Sequence, residues 1–273
     1  MTDTASSIDP SLDGFFDGRV AIVTGSSRGI GKGLAIGLAA LGAKVVCAAR
    51  TVDPGNGEFP GSIHETVSAI RDAGNEAIAV RCDIGDAGDI DGLVQQTVGQ
   101  YGRLDVLVNN AMTPTRAPFD ESTVEQWDDS MRVNVRSLYL FTQAAVPHMR
   151  AGGGGSIINV SSGAAAHEVS SLMPAGYVIY SVAKAALERF STAIAPELRS
   201  FGVSVNALRP GAVRTEHTAE EFGADFDWTG WLTPADVVPA VAYLAAQIDT
   251  DVTGKVFDVN DFGKRWGPGI TAV

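Results

Sequence analysis

One pattern recurs along the chain: a short run almost continuous in Val, Ile, Leu and Ala, a Gly-marked turn, then a longer stretch with apolar residues three and four apart. The short runs are VAIVTG (20–25), AKVVCAA (43–49), EAIAVRCD (76–83), LDVLVNNA (104–111), GSIINVSS (155–162), VSVNALRPG (203–211) and KVFDVN (255–260). They do not alternate apolar with polar, which is how strands buried on both faces read; helices must therefore cover both sides. The helical stretches run from the first turn through Ala40, and over 62–73, 86–101, 123–149, 180–201 and 234–246. Strict strand–helix alternation with right-handed crossovers predicts an α/β fold: a doubly wound, mostly parallel sheet of about seven strands with helices on both faces. No break in composition divides residues 17–273, so one domain is expected, after a flexible lead-in over 1–16. The glycine run AGGGGS (151–156) precedes a strand rather than opening a helix, and reads as a turn.

Composition narrows the function classes. At 273 residues and 45% hydrophobic, the chain can bury one sizeable core. A formal charge of −12 speaks against nucleic acid or an anionic membrane surface as partner. No apolar stretch reaches the roughly 20 residues of a membrane span. The opening MTDTASSIDPSLDGFF lacks the basic-then-apolar layout of a secretory leader, so a cytoplasmic location is expected. Cys47 and Cys82 lie within apolar runs and outside any CxxC, as reduced core residues do. His148 and His167 have no metal-like partners, and no metal site is expected.

Candidate chemistry begins at the first strand-to-helix junction, TGSSRGIG (24–31). Gly25, Gly29 and Gly31 stand where the chain must turn tightly, approach a pyrophosphate and pack a helix on the sheet. The free N–H groups and dipole of the following helix favour a bound phosphate. Later come NNA (109–111), Asn134 within a long helical stretch, Ser162 at a strand end, YSVAK (180–184) and RPGAVRT (209–215). Tyr180 and Lys184, four apart, share one helix face. A free tyrosine has a pKa near 10 and is a poor base at neutral pH. A neighbouring ammonium and an oxidised nicotinamide would stabilise its phenolate, letting it give or take a proton.

In order and spacing these pieces resemble the short-chain dehydrogenase/reductases of the TGxxxGxG and YxxxK type over about residues 17 to 262. The resemblance implies a Rossmann-like fold and an oxidoreductase that interconverts a ketone or aldehyde with its alcohol. Tyr180 would be the acid/base, Ser162 the hydrogen-bond donor to the substrate oxygen, and Lys184 the holder of the nicotinamide ribose. Asn134 resembles the asparagine that anchors a water beside the lysine. Ser27, Arg28 and Ile30 belong to the phosphate turn. Asp83 and Ile84 resemble the pair that lines the adenine, and Asn110 and Ala111 would pass under its ribose. Arg209, Pro210 and Gly211 would precede the nicotinamide, with Val213 and Thr215 against its carboxamide and phosphate side. Tyr177 and Ser161 are rivals to Tyr180 and Ser162, but no lysine stands four residues after Tyr177, and the family spacing favours the second serine.

Cofactor choice follows from charge. NAD-using relatives generally carry an acidic residue at the end of the second strand; here that place is Ala49, followed by Arg50. Arg28 and Arg50 suit a 2′-phosphate and offer NAD no carboxylate acceptor, so NADP(H) is expected, with NAD(H) as the alternative. A non-catalytic dinucleotide-binding sensor or scaffold is the competing class.

Two departures and a lid bear on the substrate. Met112 replaces the usual glycine of NNAG. The segment between Ser162 and Tyr180, with Met173, Pro174 and Tyr177, is about five residues longer than in many relatives, and the loop over 53–61 is long too. Residues 216–231 read as a substrate lid carrying Phe222, Phe226, Trp228 and Trp231 beside Glu220, Glu221, Asp225 and Asp227. The aromatics either line a site for a neutral, apolar substrate or pack the lid on the body; the carboxylates would disfavour an anion. Paired long helices imply a homotetramer or homodimer by the same resemblance.

Overall fold

The computed structural model describes residues 12–57, 59–167 and 175–270; Met173 and Pro174 lie outside them. Seven parallel strands form one sheet in the order β3-β2-β1-β4-β5-β6-β7. They are β1 (Val20–Thr24), β2 (Lys44–Ala49), β3 (Ala77–Arg81), β4 (Val106–Asn109), β5 (Gly155–Val160), β6 (Val203–Arg209) and β7 (Val256–Asp258). Helices α1 (Gly29–Ala40), α2 (Ile63–Asp72) and α8 (Pro234–Ala245) pack with one sheet face around Phe16, Leu34, Leu38, Val108 and Val241. Helices α3 (Ala87–Tyr101), α5 (Ser137–Ala151) and α6 (Val178–Leu198) contribute to the core on the other, around Ile22, Leu93, Leu107, Phe141 and Val205. Two cores explain the unalternating strands, since both faces of β1 and β4 are buried.

The strand order reverses between β1 and β4, which opens a crevice at the strands' carboxyl ends, the usual ligand position in such sheets. Thr24 closes its floor: the hydroxyl donates to the Val108 carbonyl at 3.2 Å and accepts from the Asn110 and Ala111 N–H groups, each at 3.0 Å. Close helix packing behind it uses small residues. A Cβ on Gly33 or Gly37 would collide with Pro234 or Val238 of α8.

The structure refines three expected boundaries. The stretch expected as one helix over 123–149 is α4 (Val124–Met131) and α5 joined by a π turn at Arg132–Arg136, which contains Asn134. Such turns insert a residue and re-aim side chains, often at functional sites. The helix expected from Tyr180 starts two residues earlier, at Val178. A short helix, α7 (Glu216–Phe222), opens the lid; Thr215 caps it, accepting from the Thr218 N–H at 3.2 Å. Of the lead-in, Leu12 and Phe16 are buried in the first core.

Candidate active site

At the phosphate end the backbone does the work. Gly25 (φ +68°) and Gly29 (φ +56°) occupy the left-handed region that side chains rarely adopt. A Cβ on Gly31 would collide with the Gly25 carbonyl and the Asn110 amide, so the first turn of α1 lies directly against β1 and β4. Asn110 holds that approach, its Nδ2 donating to the Thr24 carbonyl at 2.9 Å. Ser27 is buried and Ile30 half-buried in the same turn. The Gly29 N–H donates to a carboxylate oxygen of Glu216 at 2.8 Å, so an anion already sits at the α1 N-terminus, contributed by the lid.

At the adenosine end Arg28 lies under the loop that follows β2. Its Nη2 donates to the Thr51 hydroxyl at 3.1 Å and more weakly to the Gly61 carbonyl at 3.4 Å, and its guanidinium lies 5.7 Å from the Phe59 ring. Its Nε is buried without a partner among the described residues, a donor left for a ligand. Arg50 is exposed. Asp83 accepts from the Gly85 N–H at 2.9 Å, its own N–H is held by Asp89 at 2.8 Å, and Ile84 is buried beside it. The cradle around Gly31 and the unpartnered Nε of Arg28 fit a dinucleotide.

At the chemical end, Ser162 follows β5 and Tyr180 lies in the first turn of α6, and their side chains are hydrogen-bonded. Burial raises the Tyr180 pKa above its ordinary value; the Ser162 hydrogen bond and the charge of Arg116 pull the other way. In the protein alone burial is the largest influence on Tyr180, and the neighbouring ammonium is that of Lys184. Its Nζ donates to the Val160 carbonyl at 2.7 Å and lies 5.8 Å from the Tyr180 ring centroid. Lys184 is only 3% exposed, and burial pushes its pKa down to about 8, with Glu188 opposing. Asn134 is fully engaged: its Oδ1 accepts from the Thr113 N–H at 2.9 Å, and its Nδ2 donates to the Thr113 carbonyl and the Ser130 hydroxyl, each at 3.0 Å. It clasps the loop after β4 to the long helix.

After β6, Pro210 is buried and Gly211 (φ +74°) turns the chain. Val213 is buried and bridged to Leu232 across the base of the lid. The lid aromatics Phe222, Phe226, Trp228 and Trp231 pack on one another with ring centroids 4.5 to 6.1 Å apart. The four rings thus form one cluster within the lid. Met112 is exposed beside the crevice mouth.

Some functional neighbours carry no sequence motif. Glu188 is buried, binds Arg209 through both oxygens at 2.7 and 2.8 Å, and accepts from Ser161 at 2.7 Å. Ser161 and Arg209 are thus committed beneath the site rather than in it. The spacing of Glu188, four residues after Lys184 on one face, was the available signal. Arg116 has none; only the fold carries it to Tyr177, whose ring its guanidinium covers at 4.5 Å, and to Glu221 on the lid, with which it forms an ion pair.

Comparison with known proteins agrees with this architecture. Residues 19–225 match the short chain dehydrogenase family. An uncharacterized oxidoreductase of Methylorubrum extorquens is 39% identical over 255 residues, covering 89% of this chain and 97% of that protein. The hydroxyacyl-CoA dehydrogenase ChsB1 of Mycobacterium tuberculosis is 36% identical over 271 residues, covering 94% of this chain and 80% of that protein. A crystal structure from Beutenbergia cavernae, assigned as an NAD(P)-dependent gluconate 5-dehydrogenase and holding NADP at low occupancy, is similar with a TM-score of 0.76. Its sequence is 30% identical, and the match covers 89% of this chain and 95% of that one.

Proposed function

This chain belongs to the short-chain dehydrogenase/reductase family and is an oxidoreductase, and we propose that it uses NADP(H) to interconvert a ketone or aldehyde with its alcohol, Tyr180 acting as acid/base. The observation that carries the reading is the meeting of Ser162, Tyr180 and Lys184 at one end of the crevice, with the Gly31 cradle and Arg28 at the other. A bound nicotinamide supplies or accepts the hydride.

The remaining chemistry belongs to the chain. Ser162 donates to the substrate oxygen, and the Tyr180 hydroxyl delivers its proton to that oxygen as alkoxide charge develops. In reduction the Tyr180 hydroxyl is the donor, and in oxidation the same group takes the proton back. Oxidation requires the phenolate, and the Lys184 ammonium, whose Nζ is held by the Val160 carbonyl, is the charge that would stabilise it together with an oxidised nicotinamide. Asn134 keeps the loop after β4 in register with this group.

Preference for NADP(H) is supported by Arg28, by Ala49 in the place of an acidic residue, and by the NADP-holding similar structure. Exposed Val124, Trp127, Tyr139, Val178 and Val182 on α4, α5 and α6 support a homo-oligomer through those helices. No helix of the described residues is long and apolar enough to cross a membrane, and both cysteines are free and buried, which suits the cytoplasm.

Binding of NADPH and NADH, followed by tryptophan fluorescence, tests the reading. NADPH should bind at least tenfold tighter, about 1.4 kcal/mol. Equal binding would return the choice to NAD(H), and binding of neither would overturn the enzyme.

A further inference from the structure

The loop after β4 places a guanidinium beside Tyr177 and within charge range of Tyr180, the acid/base of the proposed reaction. Arg116 lies 4.5 Å over the Tyr177 ring, and that ring meets Tyr180 edge-on at 6.1 Å between centroids. Its charge reaches the hydroxyls of both tyrosines. Bonds to the loop's backbone fix this position from both sides: the Asn134 side chain clasps Thr113, and the Ala117 N–H donates to the Gly176 carbonyl at 3.1 Å.

Among the described residues Glu221 of α7 is the ion-pair partner of Arg116. Both side chains are about one-third exposed, at 32% and 30%, so the pair is screened and holds the lid only weakly. Glu221 has a second positive neighbour when His217 is protonated, at 3.8 Å, and can exchange partners. Two other lid carboxylates are engaged elsewhere: Glu216 with the Gly29 N–H, Asp227 with the Thr229 N–H at 2.9 Å. Tyr177 faces both members of the Arg116–Glu221 pair, while Tyr180 faces the charge of Arg116.

We propose that Arg116 is the specificity-determining residue of the substrate site, and that it selects oxo acids and hydroxy acids whose carboxylate lies close to the reacting carbon. Glu221 is the internal carboxylate that such a substrate displaces. A guanidinium reads a carboxylate through two parallel hydrogen bonds, and its present partner has that chemistry. The inference rests on Tyr180 as the acid/base of the proposed reaction, which fixes where the carbonyl must lie.

The test compares pyruvate, acetoacetate and levulinate (2-, 3- and 4-oxo acids) with their methyl esters, using NADPH and the full chain. Wild-type kcat/KM should favour one acid over its ester by at least tenfold. In Arg116→Gln that ratio should fall to near one, mainly through KM; Arg116→Lys should keep part of it, and Glu221→Gln should raise it about threefold. Effects on Tyr180 common to both substrates cancel in the ratio. A wild-type ratio near one, or equal losses for acid and ester in Arg116→Gln, would overturn the assignment. Acid and ester binding is read in parallel by quenching of the lid tryptophans, with and without NADPH. Failure to bind NADPH would therefore sink the proposed function, while equal binding of acid and ester would sink the role of Arg116.

Discussion

The floor and the roof of the crevice are held by different kinds of bond. Beneath Tyr180 the bonds are largely buried: Lys184 to the Val160 carbonyl, Glu188 to the half-buried Arg209 and to Ser161, Asn109 to Asn159 and Asn159 to Ser191. Above it, the lid is held by exposed pairs, Glu216 on Gly29, Glu221 on Arg116, and His217 against the Phe59 ring. Removing one partner of a buried charged pair leaves the other desolvated, while an exposed pair contributes about 0–1 kcal/mol. The floor therefore fixes the chemistry, and the roof can open, close and change its choice of substrate without endangering the fold.

The comparison breaks most sharply at Lys184. Lys184→Met should lower turnover by about 10³-fold and yet raise Tm by a few degrees at pH 7. The folded pKa of about 8 lies below the unfolded one, so the buried charge is a cost, roughly 3 kcal/mol, before the lost bond to Val160 is counted. The sign follows from linkage: the cost is full below pH 8 and vanishes as pH rises past the unfolded value. The Tm advantage should therefore shrink between about pH 8 and 10.5. A variant less stable than the parent at pH 7 would show that Lys184 is structurally favourable.

Glu188→Ala comes next. Stranding Arg209 should cost about 3 kcal/mol, seen as a fall in Tm of the order of 6–12 °C. It should also move the Lys184 titration further down, since Glu188 is the group that raises it. On the roof, the corresponding change is small. Glu216→Gln should tighten NADPH binding about three- to tenfold, because it removes the carboxylate now held by the α1 N-terminus; weaker binding would mean that the lid aids the cofactor. The smallest effect is expected from Trp231→Ala, which opens the lid's aromatic cluster. Tm should move by only a degree or two while KM for substrate rises, a split that separates roof from floor.

How much of this was legible in the sequence follows the same division. The sheet, its strands and the glycine turn could be read because both faces of β1 and β4 are buried and Gly25 and Gly31 admit no side chain, constraints that act on each residue locally. Tyr180 and Lys184 were legible as a pair because one helix carries both. The π turn at Asn134 was not, since it depends on the side chain's bonds to Thr113, 21 residues away. Nor was the Tyr180 environment: a rule about a neighbouring ammonium could not foresee that Lys184 donates to Val160 and that burial dominates. Arg116 and Glu221, 105 residues apart, meet only through the fold.

The most direct test of the account is Tyr180→Phe, read for NADPH-dependent carbonyl reduction and for NADPH affinity on the same preparation. The account predicts a loss of at least about 10³-fold in turnover, with the affinity for NADPH within about twofold of the parent. Retention of more than a tenth of the activity, or loss of nucleotide binding in step with it, would contradict Tyr180 as the proton donor.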